Sequence, residues 1–172
     1  MTNLTTCRTG LFLAAIGVAA LGGWTTLAAA PAAVDTAKEA ANVRSWVAQY
    51  NADYKARAID KLLADSEPTV MGYVPMSPVV NGPGDAKSMG AEFAADPALS
   101  ITLNVDRAEV SKSGDLGYVI GSFSRTATNP ATHAVETGGG GYVLVVRKQA
   151  DGNWKLIAYS ASQGPAAAPA KP

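Results

Sequence analysis

The sequence predicts an α+β domain in which helices come first and an antiparallel sheet follows. Two observations carry that class. Between Asp35 and Leu63 apolar residues recur three and four apart, whereas from Ile101 onward the repeat shortens to two. The strand-like runs are joined by short turn sequences instead of crossover helices, which argues against alternating βαβ units.

The helical half is read element by element. Asp35 to Tyr50 forms an amphipathic pattern, with Val43, Val47, Tyr50 and Tyr54 on one stripe and Trp46 beside it. Asn51 and Asp53 are placed to cap a second helix carrying Ala58, Ile59, Leu62 and Leu63, so the spacing leaves open one bent helix or two. Pro68 interrupts helical continuation, and Thr69 to Val74 is short, branched and extended in character. Prolines at 75, 78 and 83 predict a loop. Asp85 then caps a short helix through Ala94, with Met89 and Phe93 four apart on one side.

The strand half reads as a meander. Ile101 to Val110 is followed by the turn Ser111 to Asp115, and Leu116 to Arg125 follows in strict alternation. Leu116, Tyr118, Ile120, Ser122 and Ser124 fall on one face; Gly117, Val119, Gly121 and Phe123 fall on the other. Thr128 to Thr137 reads as a loop or broad hairpin connection. Tyr142 to Lys148 and Trp154 to Ser160 are then joined across Asp151-Gly152. The cluster Gly138 to Gly141 leads into a strand, and no Lys-Ser or Lys-Thr pair follows it. A phosphate loop needs a helix whose amides face the anion, so these glycines instead predict flexible entry, a bulge or close backbone packing in the sheet.

Composition bounds the partners. Lys plus Arg and Asp plus Glu number 14 each over the whole chain, with no basic block, so the electrostatic footprint of a nucleic-acid binder is missing. Residues 1–30 carry one charge, Arg8, then the apolar run Leu11 to Leu21 and the small residues Ala28 to Ala30 before Pro31. That order predicts a secretory signal peptide, its run falling short of the roughly 20 residues that cross a bilayer. Removal would leave a domain at 31–160, a disordered Pro/Ala-rich tail at 161–172, no stable membrane anchor, and a bacterial periplasmic or secreted location. Cys7, the only cysteine, would leave with the leader, and His133 is the only histidine. No metal site and no cofactor-binding motif is expected.

The residues Gly114, Asp115, Tyr118 and Gly121, followed by Tyr142, Arg147, Lys148, Asp151, Gly152, Trp154 and Lys155, carry a recognisable pattern. It resembles the DUF4440 family, near the SnoaL-like proteins of the nuclear-transport-factor-2-like (ketosteroid-isomerase-like) superfamily. The stretch Asn51 to Gly72, with Asp65, Ser66 and Glu67, agrees more loosely. The resemblance implies a cone-like fold, with N-terminal helices packed in a strongly curved antiparallel sheet around a cavity, and pairing through the sheet as a homodimer. It implies no single reaction, because the superfamily hosts isomerases, cyclases, dehydratases and non-catalytic domains.

A proton-transfer enzyme of this kind needs a carboxylate beside the carbon acid and donors for the enolate oxygen. The resemblance places Gly72 where the isomerases carry their base, and glycine abstracts no proton. Asp65 and Glu136 remain as acids, with Tyr50 or Tyr118 as oxygen donors. Glu67 is expected to face solvent, and His133 to lie in a surface loop. The aromatic residues speak more clearly for a pocket than for a reaction. Trp46, Tyr50, Tyr54, Tyr73, Met89, Phe93, Tyr118, Ser122 and Tyr142 are its expected lining, with Met76 a further candidate. The leading expectation is therefore a small, weakly polar ligand bound in a cavity. The alternatives are an isomerase, cyclase or dehydratase working by acid-base proton transfer, and a non-catalytic domain that interacts through its sheet.

Overall fold

The computed structural model describes residues 33–74, 80–82 and 84–164. The expected leader, Met76 with the prolines at 75, 78 and 83, and the tail beyond Gly164 lie outside the described residues.

One long helix, α1 (Thr36–Lys55), opens the domain. The Asp35 carboxylate caps it by accepting from the Lys38 amide at 3.0 Å, and Lys55 sits in its last turn, where a cation complements the helix dipole. Asn51 and Asp53, expected as caps, lie inside this helix. The break comes instead at Arg57, whose backbone adopts φ 54° before α2 (Ile59–Ala64) begins. A non-glycine residue in that region is unfavourable, so the rest of the residue must hold it there. Its guanidinium does so, donating to the carbonyls of Phe93 at 2.6 Å and Pro97 at 2.7 Å while lying 5.0 Å over the Phe93 ring. The α1–α2 elbow is thereby tied to the end of α3 (Gly84–Ala95).

The strands are β1 (Ser66–Tyr73), β2 (Val80–Asn81), β3 (Ser100–Val110), β4 (Leu116–Thr128), β5 (Val135–Lys148) and β6 (Trp154–Gln163). They form one six-stranded sheet in the order β2-β1-β6-β5-β4-β3. Pro68 is tolerated in β1 because the pairing with β6 shifts register between Ser66 and Met71, so its missing N–H falls where the ladder is interrupted.

Two expectations about the sheet are corrected. It is mixed, because β1 runs parallel to β6 while the other neighbours are antiparallel. It is also open: β2 and β3 are its edges, and it is neither closed nor strongly curled into a cone. Register shifts that bend strands interrupt the β1–β6, β3–β4 and β5–β6 pairings but not the long central one. The longest pair, β4 with β5, runs from Leu116–Arg147 to Thr128–Val135 with no shift of register.

The glycine cluster lies within β5, and Val135 to Thr137, expected in a loop, are already strand. Only Asn129 to Ala134 turns, organised by the Asn129 side-chain oxygen, which accepts from the Ala131 amide at 2.9 Å. A Cβ at Gly140 would collide with the Ser162 carbonyl, so glycine is needed there for close backbone packing.

The helices pack on one face of the sheet. Val43 and Val47 of α1 meet Val70, Ala108, Val119, Leu144, Val146 and Leu156, while Tyr54, Leu62, Phe93 and Leu99 form a second cluster. Asn51 of α1 lies one turn beyond Val47. Its amide donates to the Leu103 carbonyl and its oxygen accepts from the Leu103 amide, both at 2.9 Å. That is the two-point pairing a further strand would offer the free edge of β3. Arg44 adds a bond to the Val105 carbonyl at 3.3 Å. Asn51→Ala should therefore destabilise the domain by about 1–2 kcal/mol, since a part-buried amide and carbonyl lose partners together. Urea unfolding measures this, and a change below about 0.5 kcal/mol would show the edge to be satisfied by water.

Candidate binding site

The helix-covered face carries an aromatic ladder. Trp46, Tyr50 and Tyr54 recur every four residues, so they stack along one side of α1. Ring centroids are 5.6 Å apart for Trp46–Tyr50 and 6.5 Å for Tyr50–Tyr54. Phe93 of α3 then meets Tyr54 edge-on at 4.9 Å, with Met89 packed against the same cluster. Five expected lining residues are thus brought together. The Trp46 indole nitrogen is buried without a hydrogen-bond partner, an unusual state for a donor.

Tyr142 is buried on the same face, but its hydroxyl is used inside the sheet, donating to the Asn104 carbonyl at 3.0 Å. Burial, with the nearby Asp106 charge, pushes its phenol up to about 12. The other three expected lining residues lie elsewhere. Tyr73, 54% exposed, Tyr118 and Ser122 are on the face that the helices leave uncovered. There the Tyr118 hydroxyl donates to Glu109 at 2.6 Å, and Glu109 also accepts from Arg107; both bonds hold its carboxyl below the ordinary range. The alternation in β4 was legible, but Val119 and Phe123 face the helices instead of Tyr118 and Ser122.

The acids separate similarly. Glu136 is exposed in the β4–β5 hairpin, accepting from the Asn129 side chain at 2.9 Å, with His133 exposed in the same turn at φ 58°. Glu67 does not face solvent: Arg147 grips both its oxygens at 3.0 and 3.1 Å, and Gln149 donates to it at 2.9 Å. Asp65 follows α2, half-buried, with its backbone carbonyl accepting from the Leu156 amide at 2.8 Å. Burial raises its pKa, helped by the Asp53 charge and opposed by Lys155 and Lys61. Asp53 itself is held ionised by Gln49 at 2.8 Å and Lys61 at 3.3 Å.

A separate groove of about 510 Å³ lies at the start of α1, lined by Asp35, Lys38, Glu39, Asp115 and Lys148 among others. Several of its charges already have partners within the chain. Lys148 pairs with Glu39 at 2.7 Å, and Ser111 donates to Asp115 at 2.8 Å. Concavity favours this groove, whereas the helix-covered face concentrates the aromatic side chains.

Sequence reasoning missed Tyr159. Strict alternation from Trp154 and Leu156 turns Tyr159 away from the helices. A bulge at Ile157, between the pairs Val146–Leu156 and Val145–Ala158, brings it back to the helix face opposite Leu144. Its ring lies across Gly72, which β1 places beside it.

No protein-family model matches this sequence, and no curated protein matches it. Solved structures do. A ketosteroid isomerase-like protein from Erwinia carotovora atroseptica is 22% identical, with a TM-score of 0.62 over 74% of this chain and 98% of its own. A nuclear transport factor 2-like superfamily protein from Salmonella enterica serovar Typhimurium is 13% identical, with a TM-score of 0.61 over 79% and 98%. A protein with a cystatin-like fold from Caulobacter vibrioides is 9% identical, with a TM-score of 0.64 over 74% and 91%. The fold is the nuclear-transport-factor-2-like, ketosteroid-isomerase-like one. Among the described residues no helix is long and apolar enough to cross a membrane.

The raised pKa of Asp65 has a definite sign. Its ionised form is less favourable folded than unfolded, so the cost is absent below the unfolded pKa near 3.9 and fully present above the folded value. Asp65→Asn should raise the Tm at pH 7, and the gain should shrink as pH falls through the acid range. A gain that grows on acidification would refute the assignment.

Proposed function

We propose that this domain binds a small, weakly polar molecule against the aromatic face between α1, α3 and the sheet. The observation that carries the reading is the Trp46–Tyr50–Tyr54–Phe93 ladder, in which the half-buried rings of Trp46 and Tyr50 offer flat apolar surface backed by the buried Tyr54 and Phe93. The sequence pattern around Gly114, Tyr142 and Trp154 supports placement in the DUF4440/SnoaL-like branch, and residues 1–30 support export to the periplasm or beyond. Native mass spectrometry of protein recovered from its host's envelope should find a retained molecule, and Trp46→Ala should abolish retention. Failure of both retained and added small molecules to bind would end this reading.

The same protein pairs through the uncovered face of its sheet in this proposal. Tyr73, Val143 and Ile120 align across β1, β5 and β4 through Ser160 of β6, and Met71 and Leu116 extend the apolar surface. Met71, Leu116, Ile120 and Val143 are each 40–42% exposed, a contiguous arrangement that gains from mutual burial in a twofold dimer. Sedimentation should give a dimer for the wild type and a folded monomer for Ile120→Lys with Val143→Lys. A wild-type monomer at high concentration would remove the dimer.

A further inference from the structure

We propose that the groove at the start of α1 is a second binding site, separate from the aromatic face, for a small zwitterion bearing one ammonium and one carboxylate group. Three segments build it: residues 34–39 at the start of α1, the turn at 113–115 between β3 and β4, and the end of β5 at 148–149. A Cβ at Gly114 would collide with the Val34 side chain, so the turn closes directly against the segment that precedes α1. The groove's volume of about 510 Å³ falls in the range of small-molecule sites, roughly 300–1,000 Å³.

An inventory of its charges decides the ligand class. Glu39 and Lys148 cancel one another in an ion pair at 2.7 Å. The other two carboxylates are held by neutral donors, which position them without cancelling their charge. Asp35 accepts from the Lys38 amide, and Asp115 from the hydroxyls of Ser113 and Ser111, bonds that keep the Asp115 carboxyl below its ordinary range. The Lys38 side chain is exposed, and its ammonium has no partner among the described residues. Two carboxylates and one ammonium are thus left to be met from outside, and a molecule carrying both signs meets them. Among the described residues no group of acids, cysteines or histidines converges for a metal ion, so the cation that suits this pair is an organic ammonium.

A second observation points to an occupant. Trp154 is buried beside the groove, with the Lys148 ammonium 5.9 Å from its ring centroid. Its indole nitrogen is buried and makes no hydrogen bond, which is costly for a donor. The nitrogen is nevertheless close enough to Glu39 to help lower that carboxyl, after Lys148 and Asn42, so it faces the groove wall just outside bonding geometry. A ligand carboxylate arriving between Lys38 and Lys148 takes up the Lys148 charge and lets Glu39 close on the indole. Occupation of the groove pairs the orphaned donor.

The test titrates three probes of similar shape against the full chain by calorimetry at low salt: dialanine, N-acetyldialanine and dialanine amide. The wild type should bind dialanine about fivefold more tightly than either blocked form, the scale of one solvent-screened ion pair. Lys38→Met should remove the penalty for amidation alone, and Asp115→Asn the penalty for acetylation alone. In isotope-labelled protein the Trp154 indole resonance should move on saturation with dialanine while that of Trp46 stays in place. Absence of dialanine binding, equal affinity for the three probes, or a preference over the amide that survives Lys38→Met overturns the site. An unmoved Trp154 resonance at saturation overturns the exchange at Glu39. None of these outcomes bears on the aromatic face.

Discussion

The free edge of β3 is the constraint on which the architecture depends. An open sheet has two edges, and a long unpaired one invites association with another strand. Here α1 closes it with side chains. Asn51 supplies both halves of a strand-like pairing to Leu103, and Arg44 takes the carbonyl of Val105. This fixes the rotation of α1 about its own axis. With Asn51 directed at the edge, Val43 and Val47 are committed to the core, and Trp46, Tyr50 and Tyr54 to a continuous aromatic strip. A polar contact worth about 1–2 kcal/mol thus orients an apolar surface of far greater area.

Ion pairs secure the periphery without entering that strip. Lys148 joins β5 to α1 through Glu39, with its ammonium 5.9 Å from the Trp154 ring centroid, and Arg147 joins β5 to β1 through Glu67. Arg57 ties the elbow after α1 to the end of α3. Asp96 pins the far end of β4, accepting from the Thr128 amide at 2.7 Å and its hydroxyl at 2.8 Å. These charged groups hold helices and hairpins to the sheet. The acids raised as proton-transfer candidates fit this pattern: Glu136 serves a hairpin, and Asp65 lies beside Asp53 and the two lysines at the elbow.

The two faces of the sheet carry different residues. The helix face carries the aromatic strip with Tyr159 over Gly72, and the uncovered face carries the row Tyr73, Val143 and Ile120. Because strand side chains alternate, a single bulge redistributes residues between those faces. The bulge at Ile157 is the clearest case, moving Tyr159 from the side its spacing assigns to the opposite one.

What the sequence determined by itself was local periodicity. The helix-then-sheet order, the alternation of β4, the Asp151-Gly152 hairpin and the exclusion of a phosphate loop all follow from spacing and turn chemistry, which act over a few residues. The grouping of Trp46, Tyr50, Tyr54, Met89 and Phe93 was legible for the same reason, since these residues recur at helical intervals. Tertiary structure alone decided which side of β4 meets the helices, because alternation fixes two faces without saying which one is covered. It also decided that Asn51 reads a strand edge instead of capping a helix, that β1 lies parallel to β6, and that the sheet stays open. Each of these depends on a partner distant in the chain: Leu103 for Asn51, Tyr159 for Gly72, and the β4–β5 ladder for the absence of a cone.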